Sequence, residues 1–507
     1  MSDYITTDEN TKVGKPPLVG RLDIYTALDE ITEENVVTEV SSALMFHFRN
    51  VFAEDYLYWY RRGLQPVLDR TKDRNAFVLN KVVTNIYSQF VDFADGYFIM
   101  EPVTFVSRKP GKKSKVDKLN EYNYRAGKQQ ADNIIADWFH TVGKAALYCE
   151  PSNDPDVPLK AYALDPRSAF VVYSMRPGNK PVYAVNVVIA EDKSLIDVYT
   201  NEKIFRLEGG VTDAQTTPYK TYEAVPTTLT NVEPNVLRHI PIIEYRYNSV
   251  NMAKPEAALP LLDAISDIES NRCDGVSQFI QSIAVAVNCQ FEEGTTADKI
   301  KEAGMIALTS IGENKADFKI LSEELNQDQT QTLVDDLYET ALKICSIPST
   351  AVKGGTYDTT GAAMIFAHGW EQAAAAARNT EDLFKESNRY YEEILIDVLK
   401  RKKLLDIKLI DFELNFVRNE TANVQSKAQA AQTMLAMGMH PELAFKKSGL
   451  SNDPVSDVKM SEKYLKMIWG DPDEAVKQEE EPNGNPDGEA VIVEEDNNNG
   501  ENSVGDV

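Results

Sequence analysis

The sequence predicts an α+β fold, and three observations support this prediction. A long helical pattern runs from about Gly361 towards Lys403, and residues 144–248 have the pattern of successive strands. Two amphipathic helical stretches then flank a small unit that mixes glycines with short apolar runs. The chain therefore combines long helices with an antiparallel β region.

The long helix follows a glycine-rich loop, residues 353–358, and Thr359 or Thr360 can cap its first turn. Its first half, to Ala377, is apolar on nearly all sides, which favours neighbours on every face. From residue 383 onwards the apolar residues narrow to one stripe. About forty helical residues span about 60 Å, so the helix must cross a large structure or bend. We expect the bend at Gly369, inside the pattern.

The composition predicts a folded protein of two to four structural units, with 43% hydrophobic residues in 507. The formal net charge is −26, and residues 471–507 hold thirteen Asp and Glu against the single Lys477. The rest of the chain is therefore also acidic, at −14. Such a body disfavours tight, sequence-reading DNA binding, but a passage through which DNA slides without sticking remains open.

Cysteine spacing and hydropathy indicate where the chain functions. Four cysteines, without any CxxC pair, predict reduced core residues of an intracellular protein. The first residues are acidic and polar, so we expect no signal peptide. No run of about eighteen apolar residues predicts a membrane span.

The first half of the chain begins with polar residues that predict a mobile arm, 1–30. Helical patterns follow at 33–49, 75–91 and 119–141. The concentrated basic segment, 107–115, has the Pro, Gly and Ser of a loop. It is either a solvated insertion or a contact for nucleic-acid phosphate. Turn signals separate five predicted strands: 145–148, 169–173, 182–189, 195–199 and 240–245.

The second half alternates helices with shorter units. Amphipathic patterns predict helices at 255–287 and 327–346, with the small mixed unit at about 290–325 between them. After the long helix come a strand-like segment, 406–416, and a helical hairpin from Asn423 to about Trp469. The acidic tail lacks the apolar residues that would order it.

No motif predicts catalysis, a metal or a cofactor. In a phosphate-binding P-loop, Lys and then Ser or Thr directly follow the last glycine, whereas Thr356 and Tyr357 follow Gly354 and Gly355 here, and Lys353 precedes them. The five histidines stand without a second ligand at metal spacing. Neither GxSxG nor HExxH occurs, and the acidic clusters are typical of solvated faces.

Several segments, in this order, resemble one known family. They are residues 80–85, 96–98, 101–103, 165–173, 239–245, 357–361, 437–442 and 449–454. Together they resemble the portal proteins of tailed bacteriophages, in particular the family of long-tailed phages that infect Gram-positive bacteria. The basic insertion near Lys112 and the acidic tail are less typical of that family.

The resemblance implies a portal fold with a mixed α/β wing, a two-helix stem, a small α/β clip, a long kinked helix and an α-helical crown. It divides the chain as follows: arm 1–30, wing 31–254, first stem helix 255–287, clip 288–326, second stem helix 327–346, tunnel loop 347–360, long kinked helix 361–403, wing strand 404–422, crown 423–470 and disordered acidic tail 471–507.

The resemblance also implies a function without an enzyme activity. Portals form a homo-oligomeric ring, expected here to be a dodecamer, at one capsid vertex, where double-stranded DNA is packaged and ejected independently of its sequence. The implied partners are the terminase large subunit, a head-completion adaptor, the scaffolding protein and the major capsid protein. The implied location is the virion, with assembly in the host cytoplasm.

Two candidate sites follow from this assignment. The DNA-facing tunnel loop would contain Lys353, Gly354, Gly355, Thr356, Tyr357, Asp358 and Thr359. The clip would dock terminase or adaptor through Glu292, Glu293 and Asp298. Each has a plain alternative: an ordinary connector between two buried helices for the loop, and a solvated surface for the acidic residues.

Two functions of other classes stay open at this point. One is a helical scaffold or adaptor protein of a phage particle without a channel, and the other is a hydrolase with an unrecognised site. Ring-shaped particles in negative-stain images separate the first from a portal, and a turnover assay tests the second.

Overall fold

The structure is a computed structural model, and it describes most of the chain. The described residues are 20–72, 78–189, 193–213, 222–280, 283–287, 289–291, 308–310, 317–321, 327–349, 369–416, 424–451 and 454–469. These residues form two compact units, Met1–Ala430 and Ala431–Val507.

Seven helices are described in the first unit. They are α1 (Val36–Arg61), α2 (Ile86–Phe98), α3 (Lys113–Arg125), α4 (Lys128–Val142), α5 (Leu259–Ile280), α6 (Gln327–Ile344) and α7 (Trp370–Arg401). Glycines in the left-handed region, Gly127 and Gly143, flank α4. A β-carbon at Gly143 would lie 2.1 Å from the carbonyl oxygen of Asn251, so only glycine fits where α4 ends.

The described strands are numbered in chain order. They are β1 (Ile24–Thr26), β2 (Thr104–Ser107), β3 (Lys144–Pro151), β4 (Leu159–Leu164), β5 (Ala169–Ser174), β6 (Pro181–Ile189), β7 (Ser194–Tyr199), β8 (Lys203–Asp213), β9 (Tyr222–Pro234), β10 (Ile242–Arg246), β11 (Ile283–Val287), β12 (Cys289–Phe291), β13 (Leu308–Ser310), β14 (Asp317–Leu321) and β15 (Phe412–Asn415).

The larger sheet has the order β1-β5-β6-β7-β8-β9, and a three-stranded sheet has the order β10-β3-β4. All pairs in them are antiparallel except β1 with β5, which is parallel. The remaining strands form three two-stranded ladders: β11 with β14, β12 with β13, and β15 with β2. The predicted combination of helices and strands is confirmed.

Three apolar clusters form most of the described core of the first unit. In the first, α4, β3 and β10 pack with the second half of α7. In the second, the C-terminal part of α1 and α2 pack with the adjoining ends of α5 and α6. In the third, the N-terminal half of α1 covers one face of the six-stranded sheet, whose alternating residues face it. The stripe predicted for α7 is part of this core, since Phe384, Tyr391 and Leu399 are fully buried.

The second unit is helical where it is described. Its helices are α8 (Val424–Ala436, which crosses the unit boundary), α9 (Pro441–Ser448) and α10 (Pro454–Trp469), so three helices stand where a hairpin is predicted. The ring nitrogen of His440 accepts from the N–H of Glu442 at 3.3 Å, Pro441 occupies the first helical position, and Gly449 ends α9 at φ +64°.

The prediction of a mobile arm up to residue 30 is wrong for residues 20–30. Ile24–Thr26 pair with β5 in register with Val172 to Ser174. The Arg21 guanidinium pairs with the Glu256 carboxylate, and both side chains are fully buried. A polar sequence thus orders here because its charged groups have buried partners distant in the chain.

The helix predicted at 75–91 begins only at Ile86, after Asn85 at φ +47°. The basic segment is also not the loop that its composition predicts, since a 3-10 turn, Pro110–Lys112, leads into α3 at Lys113. Strands β4, β8 and β9 were not predicted, and residues 283–287 form β11 where the stem helix was expected to continue.

The long helix is described from Trp370 onwards. Gly369, where we expect a bend, lies just before it at φ +81°. Residues 361–368 of the apolar first half, which is predicted to run to Ala377, lie outside the described residues, as does the acidic tail.

Candidate functional site

The residues predicted to form functional sites lie outside the described part of the chain. They are Lys353, Gly354, Gly355, Thr356, Tyr357, Asp358 and Thr359 of the loop, and Glu292, Glu293 and Asp298 of the mixed unit. The structure describes the elements that border both segments, namely α5, α6, the start of α7 and strands β11 to β14. These bordering elements form the candidate site.

Helices α5 and α6 pack against each other and run in opposite directions. Near one end, Leu262 of α5 and Leu342 of α6 belong to the core that includes α1 and α2. Near the other end, Arg272 of α5 donates to the side-chain oxygen of Gln331 of α6 at 2.9 Å. The pair is therefore anchored in the body at one end and connects at the other to residues 281–326.

An extended segment, residues 78–85, lies along α5. The hydroxyls of Thr84 and Ser266 are 3.0 Å apart, and the N–H of Val82 donates to the Ser270 hydroxyl at 2.9 Å. Two extended residues advance about 6.6 Å, and four helical residues advance about 6.0 Å. Alternate residues of the segment therefore meet successive turns of the helix.

The next turn of α5 presents Asp274, whose carboxylate is buried and receives four donors. The backbone N–H of Asn80 donates at 2.6 Å and its side-chain amide at 2.9 Å. Arg70 lies 2.8 Å and Lys72 2.5 Å from the other carboxylate oxygen. Burial raises the pKa of Asp274, but the hydrogen bonds from Lys72, Asn80 and Arg70 outweigh it and lower the pKa to about 2. This ionised carboxylate fixes Arg70, Lys72 and Asn80 to α5.

The segment 350–368, which contains the predicted loop, has both of its described neighbours close together. Before it, the Ser349 hydroxyl donates to the Glu339 carboxylate of α6 at 2.6 Å. After it, a β-carbon at Gly369 would lie 4.0 Å from the Cα of Pro348. The two described ends of the segment therefore lie close together, beside the C-terminal part of α6.

The start of α7 is held there by aromatic rings. The ring of Trp370 lies 6.2 Å from that of Phe93 and 6.0 Å from that of Tyr97, measured between centroids. Phe93 and Tyr97 stack on each other at 5.7 Å along α2. Such pairs contribute about 0.5–1.5 kcal/mol beyond the area that they bury. The start of α7 thus packs on α2, whose Phe90 and Val91 belong to the core that anchors α5 and α6.

The small unit between α5 and α6 contains two described ladders. Strand β11 pairs antiparallel with β14, with Ile283 opposite Leu321 and Val287 opposite Asp317. Strand β12 pairs antiparallel with β13, with Cys289 opposite Ser310. Of the predicted acidic docking residues, Glu292 and Glu293 directly follow β12 in the sequence, and Asp298 comes after them.

Comparison with known protein families identifies the chain. Residues 49–470 match the family model described as phage portal protein, SPP1 Gp6-like. The chain belongs to this phage portal family. The match includes α5, α6, α7 and the segments between them. No curated protein matches the chain in a sequence comparison.

Membership confirms the resemblance found in the sequence, and it has consequences for function. A phage portal is a structural, non-enzymatic component of the capsid and connects head to tail. The family implies assembly into an oligomeric ring in the capsid, with contacts to capsid and packaging proteins. The portal is therefore located in the virion.

Two ionisable groups of this portal, Asp95 and His140, form a pair in the interior. Asp95 contacts the ring nitrogen Nδ1 of His140 at 2.5 Å and lies 4.0 Å from the guanidinium of Arg61. Burial raises the pKa of Asp95 to about 7 and holds the pKa of His140 well below its ordinary value. Within the described ranges, no group of three or more His, Cys, Asp or Glu residues could hold a metal ion.

The hydropathy of the portal's helices differs from that of membrane spans. None of the helices in the described part of the chain is both long and apolar enough to cross a membrane.

Sequence reasoning missed the contact between residues 78–85 and α5. A signal was present, since Ser266, Ser270 and Asp274 recur every four residues and so form a polar stripe on one face of the predicted helix. A stripe of small hydroxyl residues that ends in a carboxylate is consistent with a polar partner for that face. The sequence did not show which segment supplies it.

Proposed function

We propose that this portal forms a ring-shaped channel, a dodecamer, through which double-stranded DNA enters and leaves the capsid independently of its sequence. Family membership supports the ring, and the proposal adds the roles of the individual segments. In it, α5 and α6 are the stem, residues 288–326 are the clip, residues 347–360 are the tunnel loop and residues 423–470 are the crown.

The single observation that supports a channel best is the closeness of Pro348 and Gly369, which lie on either side of residues 350–368 in the sequence. A β-carbon at Gly369 would lie 4.0 Å from the Cα of Pro348. We infer from this closeness that the intervening residues include a loop. One such loop per subunit in a closed ring would surround the axis. Its Lys353, Thr356, Tyr357 and Thr359 could then touch phosphates transiently.

The net charge of the chain favours the passage of DNA over tight binding of DNA. Binding that releases many counterions holds DNA tightly, whereas a formal net charge of −26 opposes such binding overall. A few polar or basic contacts in each loop are individually weak and screened by salt. DNA in this channel would slide without being held at any one position.

The clip is proposed as the docking surface for the terminase large subunit during packaging and for a head-completion adaptor afterwards. Support comes from the chain order, since the two ladders β11 with β14 and β12 with β13 lie at the end of α5 and α6 that is away from the apolar core. The scaffolding protein and major capsid protein are the proposed partners during assembly in the host cytoplasm.

The ring and the channel are tested in two steps with the full chain. Light scattering should give a mass many times the 56.8 kDa of one chain, and negative-stain images should show rings with a central opening. Procapsids assembled with this portal should protect packaged DNA from nuclease, and procapsids assembled without it should not. A stable monomer, or rings that support no packaging, would contradict the proposal.

A further inference from the structure

The fold brings together two charged segments that lie about three hundred residues apart in the sequence. Strand β2 pairs antiparallel with β15, with Ser107 opposite Phe412. The ladder continues past the strands, since the N–H of Arg108 donates to the carbonyl of Asp411 at 3.0 Å. The basic segment after β2 therefore lies against residues 406–413.

The resulting surface has an excess of positive charge. We call it the basic face, and its basic side chains are Arg108, Lys109, Lys112, Lys113, Lys115 and Lys408. Among the described residues 108–117 and 406–413, four carboxylates accompany them: Asp117, Asp406, Asp411 and Glu413.

Asp411 positions two of the lysines of the basic face. Lys109 lies 2.9 Å from one of its carboxylate oxygens and Lys112 lies 3.8 Å from the other. The Asp411 side chain is only 5% exposed, whereas those of Lys109 and Lys112 are 55% and 36% exposed. The hydrogen bond from Lys109 is the main cause that lowers the pKa of Asp411. One covered carboxylate thus positions two ammonium groups that remain open to solvent.

Two further contacts hold the face in place. Arg108 pairs with Glu413 at 3.1 Å, and Lys115 donates to the carbonyl of Asp406 at 2.7 Å. Because the second acceptor is a neutral carbonyl, the charge of Lys115 is not cancelled by that bond.

The overall acidity of the chain does not cancel this local excess. Charges separated by more than about 10 Å in 0.1 M salt are largely screened, so an approaching polyanion responds to the nearby side chains. Within the described residues 108–117 and 406–413, six basic groups accompany four carboxylates, and one of those carboxylates is covered.

We propose that the basic face binds the phosphate backbone of double-stranded DNA, as a second contact made by residues other than those of the proposed passage. The side chains fit this ligand, because contacts to phosphate come from Lys, Arg and backbone N–H groups and carry no sequence information. Protein partners instead take most of their binding energy from buried aromatic and aliphatic anchors. Among the described residues of this face, Ile410 is the exposed large apolar side chain. A protein partner would therefore have to be recognised mainly by charge, so an acidic protein is the alternative that the test must distinguish from DNA.

The test uses assembled rings of the full chain and covalently closed circular DNA. A closed circle cannot thread a closed ring, so its binding reports surfaces that DNA reaches without passage. The variant changes Lys112→Gln, Lys113→Gln and Lys115→Gln, and it keeps Lys109, Arg108 and the covered Asp411. The matched control changes three exposed lysines of the six-stranded sheet region, Lys180→Gln, Lys193→Gln and Lys203→Gln.

Wild-type rings should bind circular DNA with an affinity that falls steeply with salt. The triple variant should bind at least about tenfold more weakly at 0.1 M salt, and its salt slope should be lower by about 0.9 for each phosphate that it no longer neutralises. The control should bind like wild type, and a triple Lys→Arg variant at 112, 113 and 115 should retain binding.

Three results would overturn the proposal. They are no binding of circular DNA by wild-type rings, an equal loss of binding in the control, or poly-glutamate binding that is tighter than DNA binding at equal charge concentration. The last result would assign the face to an acidic protein. Packaging is measured separately, so a defect in the proposed passage would leave binding of circular DNA unchanged.

Discussion

The backbone N–H of Asn80 donates to the carboxylate of Asp274 on α5 at 2.6 Å. This bond joins a segment that has no regular secondary structure to the helix that we assign as the first stem helix. Arg70 and Lys72 bind the second oxygen of the same carboxylate. One ionised group therefore holds Arg70, Lys72 and Asn80 in place.

Replacing Asp274 with Asn should destabilise the portal by about 2–3 kcal/mol, because hydrogen bonds to a charged group are removed and Arg70 and Lys72 lose their shared partner. Chemical unfolding measures the change. Asp267→Asn is the matched control, since Asp267 is exposed on the same helix. Equal effects of the two substitutions would show that the buried carboxylate has no special role.

The pH dependence of the same contact has a definite sign. The pKa of Asp274 is about 2 in the folded protein, below its ordinary value of 3.8, so the folded state favours the ionised form. Its contribution to stability is complete above about pH 5 and is lost as the pH falls through 3.8 towards 2. Asp274→Asn should therefore show less acid destabilisation than wild type between pH 5 and 2.

The sequence could predict the long helices but not the partner of Asn80. Residues 78–85 have apolar residues at helical spacing, yet their backbone and side chains bond to Ser266, Ser270 and Asp274 instead of to each other. A tertiary partner about 190 residues away thus decides the local conformation. Propensity is a weak guide wherever such a partner exists.

Two other differences between the predicted and the observed elements have similar causes. Residues 283–287 alternate Ile, Ala and Val, and the periodicity of so short an apolar run does not distinguish a strand from a helix. Pairing with β14 makes it a strand. Lys109 and Lys112 lie in a segment whose composition is typical of a loop. Asp411, from a distant part of the sequence, forms ion pairs with both lysines and so orders the segment.

For the candidate site, the sequence could predict only the order of the helices and strands that border it. The amphipathic patterns locate α5 and α6, but no pattern in the sequence shows that Pro348 and Gly369 are neighbours. Packing of Trp370 on Phe93 and Tyr97 brings the two ends together, and such contacts between distant rings leave no local signal.

Arg167 supplies a second test of packing. It pairs with the buried Asp55 at 2.7 Å, and its guanidinium lies 4.0 Å from the ring centroid of Tyr58. Arg167→Lys should lower stability by about 1–3 kcal/mol, because an ammonium group cannot reproduce the planar, multiply bonded and stacked arrangement. Arg176→Lys is the control, since Arg176 and its partner Asp29 are both exposed, and it should change stability by under about 1 kcal/mol. Thermal unfolding of the two variants measures both changes in stability. A larger loss of stability at Arg176 than at Arg167 would contradict the expectation.

Charge reversal in the proposed clip tests docking. Glu292→Lys, Glu293→Lys and Asp298→Lys together should weaken capture of the terminase large subunit by at least about tenfold, because opposite charges steer and stabilise such encounters. The ring, measured by light scattering, should be unchanged. A control with Glu101→Lys, Asp154→Lys and Glu202→Lys carries the same charge change at exposed positions elsewhere. If both triple variants capture terminase like wild type, these acidic residues are a solvated surface and not the docking site.

The proposed tunnel loop is tested by restricting the backbone conformations that two of its glycines can adopt. Gly354 and Gly355 can adopt φ and ψ values that alanine avoids, and each Gly→Ala change removes about 0.5–1 kcal/mol of conformational entropy from the chain. If the passage of DNA uses that freedom, the double variant Gly354→Ala, Gly355→Ala should form normal rings and procapsids but package less DNA per head. Nuclease-protected DNA per head is the measurement. The matched control is Gly96→Ala with Gly111→Ala, because a β-carbon at either position meets no atom within 4 Å. Packaging by the Gly354 and Gly355 variant at the level of this control, with rings verified by microscopy, would mean that DNA passage does not depend on the backbone freedom of these two glycines.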